Sequence, residues 1–166
     1  MLLNGKVALV TGGSRGLGRA DALALAEAGA DVVVADILDA EKTVDGVRSI
    51  GRKSLAIKMD VTNVAEVNEG VERIKRDFGS IDILVNSAAT LDHLGQILEQ
   101  KDNLWERDLR VNLTGTYNCS KAVWPSMKEK KWGRIFNMAS VQGYSEASGK
   151  PATPPLRQES SGLPRR

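Results

Sequence analysis

The sequence predicts an α/β domain built on a parallel sheet with helices on both faces. Three observations carry that expectation. Short β-branched runs alternate with helical patterns along most of the chain. The connections between the runs are too long for hairpins and suit βαβ crossovers. A glycine-rich turn, Gly12 to Gly18, joins the first run to the first helical pattern.

Each element follows from its residues. Lys6 to Val10 (KVALV) is an apolar run bounded by Asn4-Gly5 and Gly12-Gly13, and reads as a buried strand. Arg15 to Ala28 is rich in Ala and Leu and ends at Gly29, so it reads as a helix with Leu17, Ala20, Leu23 and Ala24 on its inner face. Asp31 to Asp36 (DVVVAD) is the second strand, Glu41 to Ser49 a helix, and Lys53 to Asp60 the third strand. Val64, Val67, Val71, Ile74 and Phe78 recur at helical spacing and predict an amphipathic helix. Ile81 to Val85 (IDILV) is the fourth strand. Trp105, Leu109, Asn112, Thr116, Cys119 and Val123 predict one long helix from Asp102 to about Val123, which Pro125 ends or kinks. Gly133 to Ala139 is the fifth strand.

Composition sets the boundaries. A chain of 166 residues, 42% hydrophobic and 27% charged, suits one globular domain. The four Lys/Arg and two Asp/Glu of residues 141–166 account for the whole net charge of +2. That excess is too small to predict a nucleic-acid or membrane surface. One cysteine, Cys119, and one histidine, His93, give neither a disulfide framework nor a Cys/His metal cluster. No leader pattern opens the chain, and no apolar stretch nears the ~18 residues of a membrane span, so a cytoplasmic setting is expected. Residues 141–166 hold four of the five prolines. The expected organisation is a domain over 1–143 and a Pro/Ser/Arg-rich, disordered tail over 144–166.

The turn Thr11-Gly12-Gly13-Ser14-Arg15-Gly16-Leu17-Gly18 has what a pyrophosphate needs. Gly12, Gly16 and Gly18 allow a tight reversal and close backbone approach, and the helix start offers free N–H groups and a positive dipole end. With a strand before it and a helix and second strand after it, the turn predicts a Rossmann-like dinucleotide site. Asp36 ends the second strand, 18 residues beyond Gly18. Its carboxylate can accept both adenosine ribose hydroxyls and repel a 2′-phosphate, which favours NAD over NADP. Arg15 argues for NADP, since it could pair with that phosphate. A blander reading also stands for these two: Asp36 caps the following turn, and Arg15 is solvated.

In order, these residues resemble the short-chain dehydrogenase/reductase family over about residues 3–143. The Thr11 to Gly18 turn matches the family's Thr-Gly-xxx-Gly-x-Gly, in which Ser14, Arg15 and Leu17 fall beside the glycines. Asp60-Val61 matches the pair after the third strand, whose carboxylate binds the adenine amino group. Asn86-Ser87-Ala88-Ala89 is similar to the family's Asn-Asn-Ala-Gly, keeping Asn86 and Ala88 and departing at Ser87 and Ala89. Asn112 and Ser140 fall at the family's catalytic Asn and Ser. The resemblance implies a cofactor site of Gly12, Ser14, Arg15, Gly16, Leu17, Gly18, Asp36, Asp60, Val61, Asn86 and Ala88. It implies hydride transfer between a nicotinamide cofactor and a small alcohol or carbonyl substrate.

The same resemblance exposes a gap. In the family a tyrosine exchanges the proton on the substrate oxygen, and a lysine four residues later lowers its pKa. Moving a tyrosine from ~10 to ~7 needs about 4 kcal/mol of differential stabilisation. After Ser140 the chain offers Tyr144, but position 148 is Ser. Lys150 would lie about 240° around a helix from it, on another face. Tyr117 and Lys121 fit the spacing but precede Ser140, and read as coincidence. The chain is therefore expected to be a C-terminally truncated member with impaired turnover, or a non-catalytic dinucleotide-binding fragment or frame-shifted product. The fifth strand should become a sheet edge, with Ile135, Phe136 and Met138 losing cover. Family members commonly dimerise, so a homo-oligomer through the 102–124 helix is expected. His93 reads as solvent-facing, and Cys119 as a packed small residue.

Overall fold

A computed structural model gives the fold and describes residues 1–91, 97–99 and 101–140. The 143/144 domain boundary, the tail, His93, Tyr144 and Lys150 lie outside the described residues. Five strands, β1 (Val7–Thr11), β2 (Asp31–Asp36), β3 (Ser54–Lys58), β4 (Ile83–Asn86) and β5 (Arg134–Asn137), form one parallel sheet in the order β3-β2-β1-β4-β5. Helices α1 (Gly16–Glu27) and α2 (Glu41–Ser49) follow β1 and β2. Helix α3 (Val64–Phe78) follows β3. After β4 come α4 (Asp102–Asp108), a π-helical segment (Leu109–Gly115) and α5 (Thr116–Glu129).

The central strands read as continuous apolar runs because both of their faces are covered. One core packs Leu9, Val33, Ile57, Leu84 and Met59 against Val67, Ile74, Cys119 and Val123 of α3 and α5. The other packs Ala8, Val10, Val32, Val34 and Val85 against Ala22, Ala26, Val44 and Val47 of α1 and α2. The chain steps outward from β1 to β3, then returns to β4 and steps the other way. That reversal opens a crevice at the carboxyl ends of β1 and β4, the place where such sheets take ligands.

Four expectations change. The inner face of α1 is Gly18, Ala22 and Ala26, whereas Leu17 (68% exposed), Ala20 and Ala24 face outward. Small residues win this face because a Cβ at Gly18 would stand 2.4 Å from the Gly12 carbonyl oxygen, so only a glycine lets the helix seat so closely. On α3, Val67, Val71 and Ile74 are buried as expected, but Val64, in the first turn, is exposed.

The long helix is interrupted by its π segment, which resets the phase of the apolar stripe. Upstream, the buried position is Asp108 in place of Leu109; downstream, Cys119 and Val123 are buried as predicted. Gly115 lets this segment close on Val61, whose Cγ2 would lie 2.5 Å from an added Cβ. Pro125 neither ends nor delimits α5, which runs to Glu129. Pro125 and Lys121 are both exposed, so the helical N–H that proline removes is lost on the solvent-facing side of α5. Strand β5 is an edge of the sheet among the described residues, with Ile135 partly packed and Phe136 52% exposed.

Candidate functional site

Thr11 closes β1 and organises the crevice floor. Its hydroxyl oxygen accepts the N–H groups of Ser87 and Ala88 at 3.2 and 3.3 Å, tying the loop after β4 to the end of β1. Gly12 then turns with φ +67°, and its N–H donates to the Ala35 carbonyl at 2.8 Å. A Cβ on Gly12 would stand 2.6 Å from Ala88 Cα, backbone against backbone. Gly16 differs: its φ is +57°, and a Cβ there would meet nothing within 4 Å. The first main-chain bond of α1 runs from Arg19 N–H to the Arg15 carbonyl at 3.2 Å. The N–H groups of Gly16, Leu17 and Gly18 therefore precede the helical bonding pattern and form its donor end.

These residues open on a cleft of about 740 Å³. Of the predicted cofactor residues, Gly12, Arg15, Gly16, Leu17, Gly18, Asp36, Asp60, Val61 and Ala88 line it. Ser14, Asn86, Asn112 and Ser140 are not among its lining residues. Ser14 is turned away: its N–H donates to Asp36 Oδ2 at 2.9 Å, and its Oγ is buried without a partner. Asn86 pairs with Asn137 across β4 and β5, its Nδ2 donating to Asn137 Oδ1 at 2.9 Å and to Ser120 Oγ at 3.2 Å. Asn112 clasps the main chain of Thr90, accepting its N–H at 2.9 Å and donating to its carbonyl at 3.1 Å. Ser140, half-buried, lies three residues past the end of β5.

Asp36 does cap the following turn, as its blander reading held. Its Oδ1 accepts Leu38 N–H at 3.0 Å while Oδ2 accepts Ser14 N–H. Each carboxylate oxygen has two acceptor sites, so capping leaves one on each. Asp60 is similar: Oδ1 accepts Thr62 N–H at 2.8 Å, and its own N–H is held by Glu66 at 2.8 Å. Val61 is buried, and its carbonyl accepts Asn118 Nδ2 at 3.0 Å.

Sequence reasoning missed Arg107 and Arg110, which join Arg15 among the residues lining the cleft, so that three cations and the two acids Asp36 and Asp60 share its wall. Their i, i+3 spacing was the available signal, since such residues share a helix face. Tyr117 and Lys121 stand exposed on the outer side of α5, with the ammonium 5.5 Å from the ring centroid, and neither lines the cleft. Cys119 is fully buried, and burial pushes its thiol up to about 12. Among the described residues, no group of three His, Cys, Asp or Glu is placed to hold a metal ion, and no helix is long and apolar enough to cross a membrane.

The comparisons agree with this geometry. FabG of Haemophilus influenzae, a 3-oxoacyl-[acyl-carrier-protein] reductase, is 40% identical over 150 residues, covering 89% of this chain and 60% of the relative. The D-beta-hydroxybutyrate dehydrogenase of Cupriavidus necator is 35% identical over 156 residues, covering 91% of this chain and 59% of the relative. Among solved structures, an NAD+-bound xylitol dehydrogenase superposes with a TM-score of 0.88 at 34% identity, covering 98% of this chain and 62% of that one. The chain thus spans about 60% of the length of these relatives. Residues 6–152 match the short chain dehydrogenase family. With the glycine turn, the strand order and the crevice in agreement, the chain belongs to the short-chain dehydrogenase family.

Proposed function

We propose that this chain binds an adenine dinucleotide, NAD(H) in preference to NADP(H), in the crevice beyond β1 and β4. It would do so as the coenzyme-binding part of an oxidoreductase acting on small alcohols and carbonyls. The observation that carries the reading is the donor end of α1. Three consecutive N–H groups precede the helical bonds, and Gly16 leaves the space before them open. That geometry fits a pyrophosphate, because the donors and the positive helix end coincide.

The remaining residues fit the rest of the group. Asp36 holds one acceptor site on each oxygen for the two adenosine ribose hydroxyls, and its charge opposes a 2′-phosphate. Asp60 Oδ2, with no hydrogen bond among the described residues, is the acceptor for the adenine amino group. Val61 and Ala88 give the adenine apolar walls. Arg15 steadies the pyrophosphate at the turn. Ser14 and Asn86 act from behind, by shaping the turn and the β4 end. When bound, the nicotinamide supplies or takes the hydride that interconverts alcohol and carbonyl. Ser140 is assigned to hydrogen-bond the substrate oxygen. Asn112 is assigned to the proton path, where its clasp on Thr90 fixes the loop that walls it.

The 166 residues hold no Tyr-x-x-x-Lys after Ser140, and Tyr117 and Lys121 face outward. The chain by itself is therefore a dinucleotide binder with little or no turnover. Tyr117 and Trp124, 58% and 59% exposed on α5, support self-association through the 102–124 region. NADH fluorescence titration tests the proposal. Saturable binding, tighter than for NADPH, is expected; a folded sample with no saturable binding refutes it. A panel of alcohols and ketones tests the turnover statement, and brisk turnover contradicts it.

A further inference from the structure

Helix α2 reaches into the glycine turn through one residue that the dinucleotide reading leaves without a task. Thr43, in the first turn of α2, is fully buried. Its hydroxyl donates to the Gly13 carbonyl at 2.9 Å and also approaches the Ser14 carbonyl at 3.3 Å. A helical threonine commonly turns its hydroxyl back to a carbonyl of its own helix. Here it crosses 30 residues of sequence to reach the turn.

The opposite side of the same peptide is held as well. Ser14 N–H donates to Asp36 Oδ2 at 2.9 Å. In a planar trans peptide the C=O and the following N–H point to opposite sides, and none of the described peptide bonds is cis. The Gly13–Ser14 peptide is thus gripped at both ends, by Thr43 at its carbonyl and by Asp36 at its N–H. The second, longer approach of Thr43 draws the next carbonyl the same way, which turns Arg15 N–H to the other side.

We propose that Thr43 is a positioning residue: it sets the orientation of the Gly13–Ser14 and Ser14–Arg15 peptides and thereby aims the donor end of α1 at the crevice. Asp36 also holds Leu38 N–H at 3.0 Å. The turn, the end of β2 and the start of α2 therefore form one hydrogen-bonded unit, and the acid facing the ribose is part of the brace. The coenzyme consequence rests on the dinucleotide reading above; the brace itself does not.

The test uses the full chain, labelled with 15N, as Thr43→Val and Thr43→Ser. Valine keeps the shape and loses the hydroxyl; serine keeps the hydroxyl and loses the methyl. Two readouts are taken: amide exchange at Ser14 without nucleotide, and NADH affinity. Thr43→Val is expected to speed Ser14 exchange and raise the NADH Kd by about tenfold each, the net size of one hydrogen bond. Thr43→Ser is expected to hold both within about twofold of the parent while melting earlier, because it keeps the bond and loses packing. If Thr43→Val does not fold, Thr43→Ala against Thr43→Ser makes the same comparison, since both lose the methyl and only alanine loses the hydroxyl. Unchanged Ser14 exchange in a folded hydroxyl-free variant, or serine behaving like valine, overturns the brace. Faster exchange with an unchanged Kd overturns its bearing on the coenzyme. If the parent chain does not bind NADH, the dinucleotide reading fails, and Ser14 exchange still decides whether Thr43 orders the turn.

Discussion

Replacing Gly12 and Gly16 separately by alanine separates two uses of glycine within one turn. Both have positive φ, +67° and +57°. An L-residue held in that region costs about 1–2 kcal/mol. At Gly16 that is the whole structural penalty, because the new methyl meets nothing within 4 Å. At Gly12 the methyl would lie 2.6 Å from Ala88 Cα and 2.7 Å from Ala88 N, and backbone atoms cannot swing aside. Overpacking of this kind adds about 1–3 kcal/mol. Gly12→Ala should therefore lose about 2–5 kcal/mol, a large share of the ~5–15 kcal/mol that stabilises a domain. With a urea slope of about 2 kcal/mol/M, its midpoint should fall by about 1–2.5 M. Gly16→Ala should lose only about 1–2 kcal/mol, yet its methyl enters the cleft before the helix donors, so NADH affinity should fall more than tenfold. Urea unfolding and NADH titration of the two variants check both halves. Equal destabilisation would refute the close seating of the turn on the β4 loop. Undiminished NADH binding by Gly16→Ala would refute the role given to the open face.

Asp36→Ala should weaken NADH binding at least tenfold and leave Ser14 and Leu38 N–H without their acceptor, costing about 1–3 kcal/mol; titration and unfolding of one sample check it. Asp82, 1% exposed, accepts Val7 N–H at 3.0 Å and is paired with Lys130, which also donates to Ser80 at 2.7 Å. Lys130→Met should cost about 3 kcal/mol, since it strands a buried carboxylate, and adding Asp82→Asn should recover part of that loss. A double-mutant cycle without coupling would contradict the pairing. Cys119 ionises at about 12, against its ordinary 9.0. Its thiolate fraction at pH 8 is then about one in ten thousand, so a disulfide reagent should react only as the chain unfolds. Because the unfolded thiol ionises first, the stability held by the neutral thiol is complete below about pH 9 and falls as pH rises toward 12. Rapid labelling of the folded chain at pH 8 would contradict the burial.

Much of this fold can be read from local residue order. The runs DVVVAD and EKTVDGVRS coincide with β2 and α2 to the residue, because their patterns need no distant partner to be legible. The inner face of α1 was illegible for the opposite reason. Hydrophobicity points to Leu17 and Ala24, while the contact is decided by how near Gly18 lets the helix come to Gly12. The phase of the long helix escaped in the same way, since its π segment answers to Val61 and Thr90, far away in sequence.

The site divides along a similar line. Glycines and acids that face the crevice carry motif spacing, and nine of the predicted cofactor residues line it. Thr11, which helps to hold them, belongs to the glycine motif as well, but the other holding groups, Thr43, Ser120 and Asn137, carry none. Their work is hydrogen bonding across the fold, and one such polar residue in a sequence looks like any other.

A crystal of this chain grown with NADH decides whether the donor end of α1 holds the coenzyme. Pyrophosphate oxygens are expected within about 3 Å of the N–H groups of Gly16, Leu17 or Gly18, with the adenosine ribose hydroxyls on Asp36. Coenzyme seated elsewhere, or a crevice holding only solvent at saturating NADH, would contradict that placement.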